Sequence, residues 1–449
     1  MTGAGRAPTR RERTGRAIFL LSAFFLLFVA AFSYGYFVAR TRSFPNRLIS
    51  QAMTDVDAVV DLVRGNAHEI VSSRKQGGVT VHDAARAQPG LTFFTAFDGE
   101  VFQPFLVDID GRVVHRWKTV YGVLFKGNEE FDLLWDSRRH MHGAHLYPDG
   151  SIVASFEYRG LVKLDRCSRT LWLLKRRTHH AILPQADGSF WTPSTDTYRE
   201  RPHLPQGHRE DSLLHVSTDG KVLEEINLID AIIKGGYQAI LMQGEPWRPD
   251  NDSLDPLHLN DVEIVTEALA RRIPQAAPGD FLVSLAHPNA LAIIGRESKS
   301  VVWSLSGPFL RQHDPDIVDD GTLLVFDNRT EHWQRTPVRW LEEPQVWGYS
   351  RILRIDPGTQ QVLWSFAGSR TFPFYSSAMG KQQLLANGNI LVSDPEGGRA
   401  FEIAPAHGNR VVWEYVNMLE GKDEGHLGRV TEATRYDSDG AQFLDKPCD

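Results

Sequence analysis

Two hydrophobic patterns divide the chain. From Ala17 to Val38 (AIFLLSAFFLLFVAAFSYGYFV) 22 residues pass without a charge. At 1.5 Å per residue such a helix covers about 30 Å, the thickness of bilayer hydrocarbon. A cleaved signal peptide is the rival reading, but its apolar region runs about 7–15 residues. Tyr34, Tyr36 and Phe37 also stand where a small-x-small cleavage site would lie. Five arginines precede the span and three follow within ten residues, which favours a cytoplasmic N-terminus. The pattern therefore predicts a cytoplasmic tail over 1–16 and an uncleaved signal anchor over 17–38. Everything beyond Arg40 would then lie outside the cytoplasm.

From Pro45 to about Ser73 the apolar residues Leu48, Ile49, Met53, Val56, Val59, Val60, Leu62 and Val63 recur at helical spacing, predicting an amphipathic stalk helix within a linker over 39–88. Its apolar stripe suits either self-association into a homo-oligomer or packing on the main domain or the lipid surface. Gly77-Gly78 ends it, and Gln88-Pro89-Gly90 opens the main domain.

From residue 90 to about 440 the pattern changes to short alternating strands punctuated by turns, and it repeats. One phrase is a turn, then aliphatic residues, then usually Trp; its six markers fall at Trp117, Trp172, Glu224, Trp303, Trp364 and Trp413. Their spacings of 49 to 79 residues suit four-stranded propeller blades with loop insertions. A second phrase interleaves, reading HGAHLYPDG (142–150), HAILPQADG (180–188), HDPDIVDDG (313–321) and GKQQLLANG (380–388). Its Asp-Gly or Asn-Gly turns suit tight hairpins that need positive φ. The prediction is an all-β, six-bladed β-propeller over 89–441 with a tail over 442–449. The stretch Gly428-RVTEATRYD would pair with the first blade and close the ring, leaving no exposed strand edges.

Charge is unevenly placed. Residues 1–42 carry seven Arg and one Glu, a net +6, so the remainder carries −13 of the total −7. An acidic main domain repels phosphodiester backbones, so nucleic acid is not an expected partner. Two cysteines exclude a disulfide scaffold and a Cys-rich metal site. Cys167 and Cys448 are either one disulfide in an oxidising compartment or two free thiols.

Within the second phrase, His142, His180 and His313 each stand eight residues before the turn glycine, where the fourth copy has Gly380. A fixed register on an innermost strand carries these side chains to equivalent depth in the axial channel. The remaining blade reads DPLHLNDVEIV, with His258 and Asn260 two apart and hence on one strand face; an insertion over 264–278 follows. Imidazoles gathered there can bind an oxyanion and supply a nucleophile, can hold Zn²⁺ or Cu²⁺, or can line a hydrated channel. No Cys or HxxxH pairing accompanies them, so no metal and no cofactor is expected. His115, His203, His208, His332 and His426 lie in polar stretches and read as surface residues.

The phrases LVDIDGRVVHRW, HHAILPQADG, DPLHLNDV, QHDPDIVDDGTLLVFDN and QLLANGNILVSDPEGGRAFEI together resemble the bacterial arylsulfotransferase family, whose members transfer sulfuryl groups without a nucleotide donor. The resemblance implies a six-bladed propeller with the reaction in its central channel. It places the nucleophile on His313, sulfuryl-binding partners on His180 and His258, and the family's HxN asparagine on Asn260. Where family members carry an Arg in a phrase like SLR, this chain reads Ser284-Leu285-Ala286-His287. His287, Arg311 or Arg329 would then act as oxyanion clamp, with His142 as a further channel residue. The implied partners are a small sulfate ester and a hydroxyl acceptor, with the membrane held through 17–38. The implied location is the inner membrane with a periplasmic propeller, or a lumenal or extracellular one in a eukaryote, where Asn251 and Asn328 would fit glycosylation sequons. The alternative is a non-catalytic propeller that binds an anionic ligand or an envelope protein.

Overall fold

The computed structural model describes residues 10–41, 70–73, 76–119, 124, 140–199, 201, 208–243, 255–330, 348–420, 425–438, 441–446 and 448. Arg10–Thr41 is one helix whose stretch Thr14–Phe37 is long and apolar enough to cross a membrane, with none of that stretch buried. It is a candidate membrane span.

Six antiparallel blade sheets follow, five of four strands and one of five, running from axis to rim. Blade two is Met141–Leu146, Ile152–Phe156, Gly160–Leu164 and Thr170–Leu174. Blade three is Leu183–Pro184, Phe190–Arg199, His208–Val216 and Val222–Asn227. Blade four is Leu259–Ile264, Phe281–Leu285, Ala290–Ile294 and Val301–Ser306. Blade five is His313–Ile317, Leu323–Asp327, Arg351–Asp356 and Gln361–Ala367. Blade six is Lys381–Leu384, Ile390–Asp394, Arg399–Ala404 and Arg410–Val416. Blade one takes Leu91–Phe97, Phe102–Val107 and Val113–Arg116 from the start of the propeller and its innermost strand, Val430–Tyr436, from the end. That last pairing closes the ring, as the sequence predicts.

The repeated phrases now have physical causes. Four of the marker tryptophans reach from an outer part of their blade into the next one. Trp117 Nε1 donates to Gly150 O at 3.0 Å, Trp172 to Thr218 O at 2.9 Å, Trp364 to Asn409 Oδ1 at 2.9 Å and Trp413 to Ile109 O at 2.8 Å. One indole thus buries apolar area between blades while its N–H is satisfied. The turn glycines take the left-handed conformation (Gly150 φ 82°, Gly321 φ 79°), which a Cβ would disfavour. In the second phrase the Asp or Asn before the glycine accepts from the residue after it, as in Asp149 to Ser151 N at 2.8 Å.

The start of the propeller differs from expectation. Residues 70–73 are not helical; Ile70–Ser73 is extended and pairs with His426–Gly428. Gly78–His82 adds a fifth strand to blade six, against Arg410–Val416, so strands of the propeller begin before Pro89. A free rim edge on that blade offers unpaired backbone groups, and a nearby extended segment satisfies them. The stalk helix proposed for 45–69 lies outside the described residues.

Cys167 and Cys448 form a disulfide. It holds the C-terminal segment against blade two, where Phe443 packs on Trp117 and His115. His208 is not a surface residue: only 1% exposed, it sits on blade three with Nε2 3.3 Å from Glu210. His426 is exposed and His115 half-buried; His203 and His332 lie outside the described residues.

Candidate functional site

The innermost strands carry their histidines at the end where each strand begins. His142 lies on the blade-two strand, His258 immediately precedes the blade-four strand, and His313 opens the blade-five strand, while His180 stands three residues before the blade-three strand. Blade six contributes Gly380 instead, because a Cβ there would lie 2.4 Å from the Phe326 ring. The rings converge. The His180 centroid lies 5.0 Å from that of His258, 5.8 Å from His313 and 4.1 Å from His142. One nitrogen from each of His180, His258 and His313 lies within 4.8 Å of the others. His180 (φ 61°) and His258 (φ 51°) both adopt left-handed backbone, a conformation that costs non-glycine residues energy and clusters at functional sites. Gly143 is required beside them, since a Cβ would lie 1.7 Å from the His180 carbonyl oxygen.

Each ring of the trio is oriented through Nδ1. His313 Nδ1 donates to Asn328 Oδ1 at 2.8 Å, and Asn328 Nδ2 donates to the carbonyls of Ser376 (3.0 Å) and Met379 (2.6 Å). Those two acceptors fix the amide so that its oxygen faces the imidazole. His258 Nδ1 donates to Asp255 Oδ2 at 2.8 Å, while Asp255 Oδ1 accepts from the His258 backbone N at 2.9 Å. His180 Nδ1 pairs with His179 Nδ1 at 2.9 Å, and His179 Nε2 lies 3.9 Å from Asp211. Nδ1 of each ring is therefore the nitrogen held by a neighbour.

Burial sets the protonation states. It pushes His313 down to about 4, although the Asn328 hydrogen bond opposes the shift. Burial likewise lowers His142, His179 and His287 to about 3 and puts His180 well below its ordinary value. His258 is the exception: burial opposes its charge, but Asp255 and then Asp211 overcome it, and the group is raised. Burial and repulsion from Asp255 lift Asp211 to about 7. Burial thus favours neutral imidazoles around His258, the one ring whose charge is favoured, an arrangement that can offer a nucleophile beside a proton donor.

The remaining sequence candidates take different places. Asn260 is buried and donates Nδ2 to the Gln312 carbonyl at 2.8 Å, bracing the start of the His313 strand. His287 stacks on His258 at 4.7 Å, with Nδ1 bonded to the Asp255 carbonyl. Arg311 is buried, its backbone N donates to Asn289 Oδ1 at 2.8 Å, and its charge bears on His287. Arg329 is turned towards Gly348 and the Asp327–Arg351 pair rather than the trio. Ala286 is buried, with its N donating to the His258 carbonyl at 3.1 Å. Sequence reasoning missed His179, Asp211, Asp255 and Asn328. The HH pair and the Asp three residues before His258 were visible signals. Asn328 read only as a sequon, yet it is fully buried and spends its amide inside the site.

Further along the same strands lies a second polar cluster. Asp261 and Glu263 of blade four, Asp314 and Asp316 of blade five and Glu432 of blade one surround Lys381 of blade six, whose Nζ is 3.3 Å from Glu432. Burial, and then mutual repulsion, raises Glu263 to about 8 and Asp261 and Asp316 well above the carboxylate range.

Comparison with known proteins then bears on the chemistry. The family model described as arylsulfotransferase (ASST) matches residues 143–418, more than half of the chain. No curated protein sequence matches it. Among solved structures, a protein of unknown function from Bacteroides caccae superposes with TM-score 0.46 at 12% identity, covering 75% of this chain and 97% of that one. The WD40 β-propeller domain of Doa1 gives 0.39 at 12%, covering 77% and 85%. A catalytically inactive virginiamycin B lyase from Staphylococcus aureus gives 0.38 at 10%, covering 80% and 88%.

Proposed function

The chain belongs to the arylsulfotransferase family, and from that premise we propose that its channel moves a sulfuryl group from an aryl sulfate ester to a hydroxyl acceptor through His313. The observation that carries this reading is the convergence of His180, His258 and His313, one nitrogen of each within 4.8 Å of the others. Sulfuryl transfer resembles phosphoryl transfer, with charge spread over three equatorial oxygens and the entering and leaving groups in line. The Asn328 hydrogen bond keeps the proton on Nδ1 of His313, so Nε2 has its lone pair. That nitrogen attacks sulfur; the N–S bond forms as the aryl S–O bond breaks. The departing phenoxide takes a proton from the His258 imidazolium, which Asp255 maintains. In the second half-reaction the acceptor hydroxyl returns that proton to His258 while its oxygen displaces Nε2. One difficult displacement becomes two easier ones.

His180 and the nearby charge of Arg311 supply oxyanion stabilisation, each well-placed donor typically being worth about 3–4 kcal/mol. Arg311 thereby fills the role left by Ala286. His142 borders His180, and Asn260 acts by holding the Gln312–His313 backbone. The helix over 17–38 anchors the protein in the inner membrane, with the tail over 1–16 cytoplasmic and the propeller periplasmic. The disulfide supports that placement, because such bonds persist in oxidising compartments.

Incubation with an aryl sulfate followed by intact mass measurement should show one added sulfuryl group. That group should be absent in His313→Ala and present in His142→Ala. Undiminished labelling of His313→Ala would defeat the assignment.

A further inference from the structure

We infer that the imidazole trio is also a binding site for a divalent transition-metal ion of the Zn²⁺ class, which occupies the place of the sulfuryl group. An oxyanion site needs N–H groups directed inward, whereas a metal site needs lone pairs. On His313 and His258 the Nδ1–H is committed outward, to the Asn328 amide oxygen and the Asp255 carboxylate. On His180 the Nδ1 is engaged by His179, whose far nitrogen faces Asp211. Three different partners therefore hold the three Nδ1 atoms, while one nitrogen of each ring lies within 4.8 Å of the others. Metal-ligating histidines show this outer arrangement almost without exception: the second ring nitrogen is held by a carboxylate, carbonyl or similar group, which fixes tautomer and orientation.

The ligand set decides which ion. Three imidazoles and no thiolate suit Zn²⁺, Cu²⁺, Ni²⁺ or Co²⁺, whereas Ca²⁺ and Mg²⁺ require oxygen ligands. Nitrogens bound at about 2.0 Å in a tetrahedral site lie about 3.3 Å apart. With separations of no more than 4.8 Å, the nitrogens need to close by at most about 1.5 Å to reach that spacing. His180 and His313 are buried, and the His258 side chain is 15% exposed. Two further groups of potential ligands share members with the trio, His142–Glu157–His180 and Asp255–His258–His287. The trio alone spans three blades and leaves Asp255 as a positioning residue. Zn²⁺ would displace the proton of His258 on binding and fill the same space, so bound metal and the sulfate ester exclude one another. The inference stands apart from sulfuryl transfer, since a propeller that never turned over a sulfate ester would still bind the ion.

The test uses the full chain in detergent, stripped of metal and titrated with Co²⁺ by visible absorption and with Zn²⁺ by calorimetry, without any sulfate ester. One equivalent should bind, with the intense visible bands of four-coordinate Co²⁺. His180→Ala, His258→Ala and His313→Ala should each weaken binding at least about 100-fold, and Asn328→Leu about tenfold, as loss of an outer partner does. Circular dichroism identifies any variant that fails to fold. The Co²⁺ spectrum of the unmutated protein decides the matter if all do. Absence of a stoichiometric site, octahedral weak bands, or equal affinity in a folded His258→Ala variant overturns the inference.

Discussion

A histidine can attack sulfur only through a nitrogen without a proton, and two separate features supply that condition at His313. Asn328 selects the tautomer, and burial, which holds the group at about 4, keeps the ring neutral. The sign follows directly: protonation removes the lone pair, so activity falls as pH drops through the folded pKa. Sulfuryl labelling should therefore stay level from pH 7 down to about 5 and fall through about 4, rather than halving near the ordinary imidazole value of about 6.5. On the alkaline side the rate should fall as pH passes the raised value of His258, whose proton the proposed transfer uses. Rapid-quench labelling across pH 3.5–9 checks both limbs, and a midpoint at 6.5 on the acid limb would contradict burial as the controlling term. At this scale the candidates were legible as a register of histidines, but their orienting partners were not. Asn328 is fifteen residues from His313 along the chain, and only the pairing of two strands brings them together.

The innermost strands of blades four and five carry chemistry in two tiers, a histidine where each begins and carboxyls further along. Lys381 is the cation set among five of those carboxyls. A carboxyl whose folded pKa lies above its unfolded value stabilises below the unfolded value and loses that contribution as pH rises through the folded one. Glu263 at about 8 and Asp314 at about 6 therefore become progressively charged between pH 5 and pH 8, when Lys381 matters most. Lys381→Met should destabilise the propeller by about 3 kcal/mol at pH 8, the usual cost of unpairing a buried ion, and by clearly less at pH 5. Urea unfolding at the two pH values measures this; equal losses would show that the lysine acts through packing alone. The elements themselves were legible because the Trp and Asp-Gly phrases mark rim contacts and hairpin turns that every blade must make. The extra strand Gly78–His82 was not, since nothing in five residues says that a rim edge awaits them.

For the whole molecule, ring closure and the Cys167–Cys448 bond are separate fastenings. Val430–Tyr436 closes the ring by strand pairing against Leu91–Phe97, and the disulfide then ties down the tail beyond it. Cys448→Ser should lower stability by about 3 kcal/mol, in the normal range for losing a native disulfide, while sulfuryl labelling at 25 °C is retained because the channel lies within the strand-closed ring. Thermal unfolding of the variant beside the oxidised protein checks this, and an unchanged transition would show that Phe443 and its neighbours hold the tail alone.

By itself the sequence determined the apolar helix, the number of blades, the strand that closes the ring and the register of the axial histidines. Each is written in local periodicity or in a repeat, and local backbone rules and hairpin turns act over a few residues. Tertiary structure alone decided that Cys167 meets Cys448, that His208 and Asn328 are buried, and which nitrogen of each imidazole a neighbour holds. Those facts depend on contacts between blades, where desolvation and hydrogen bonding are set by residues tens to hundreds of positions away.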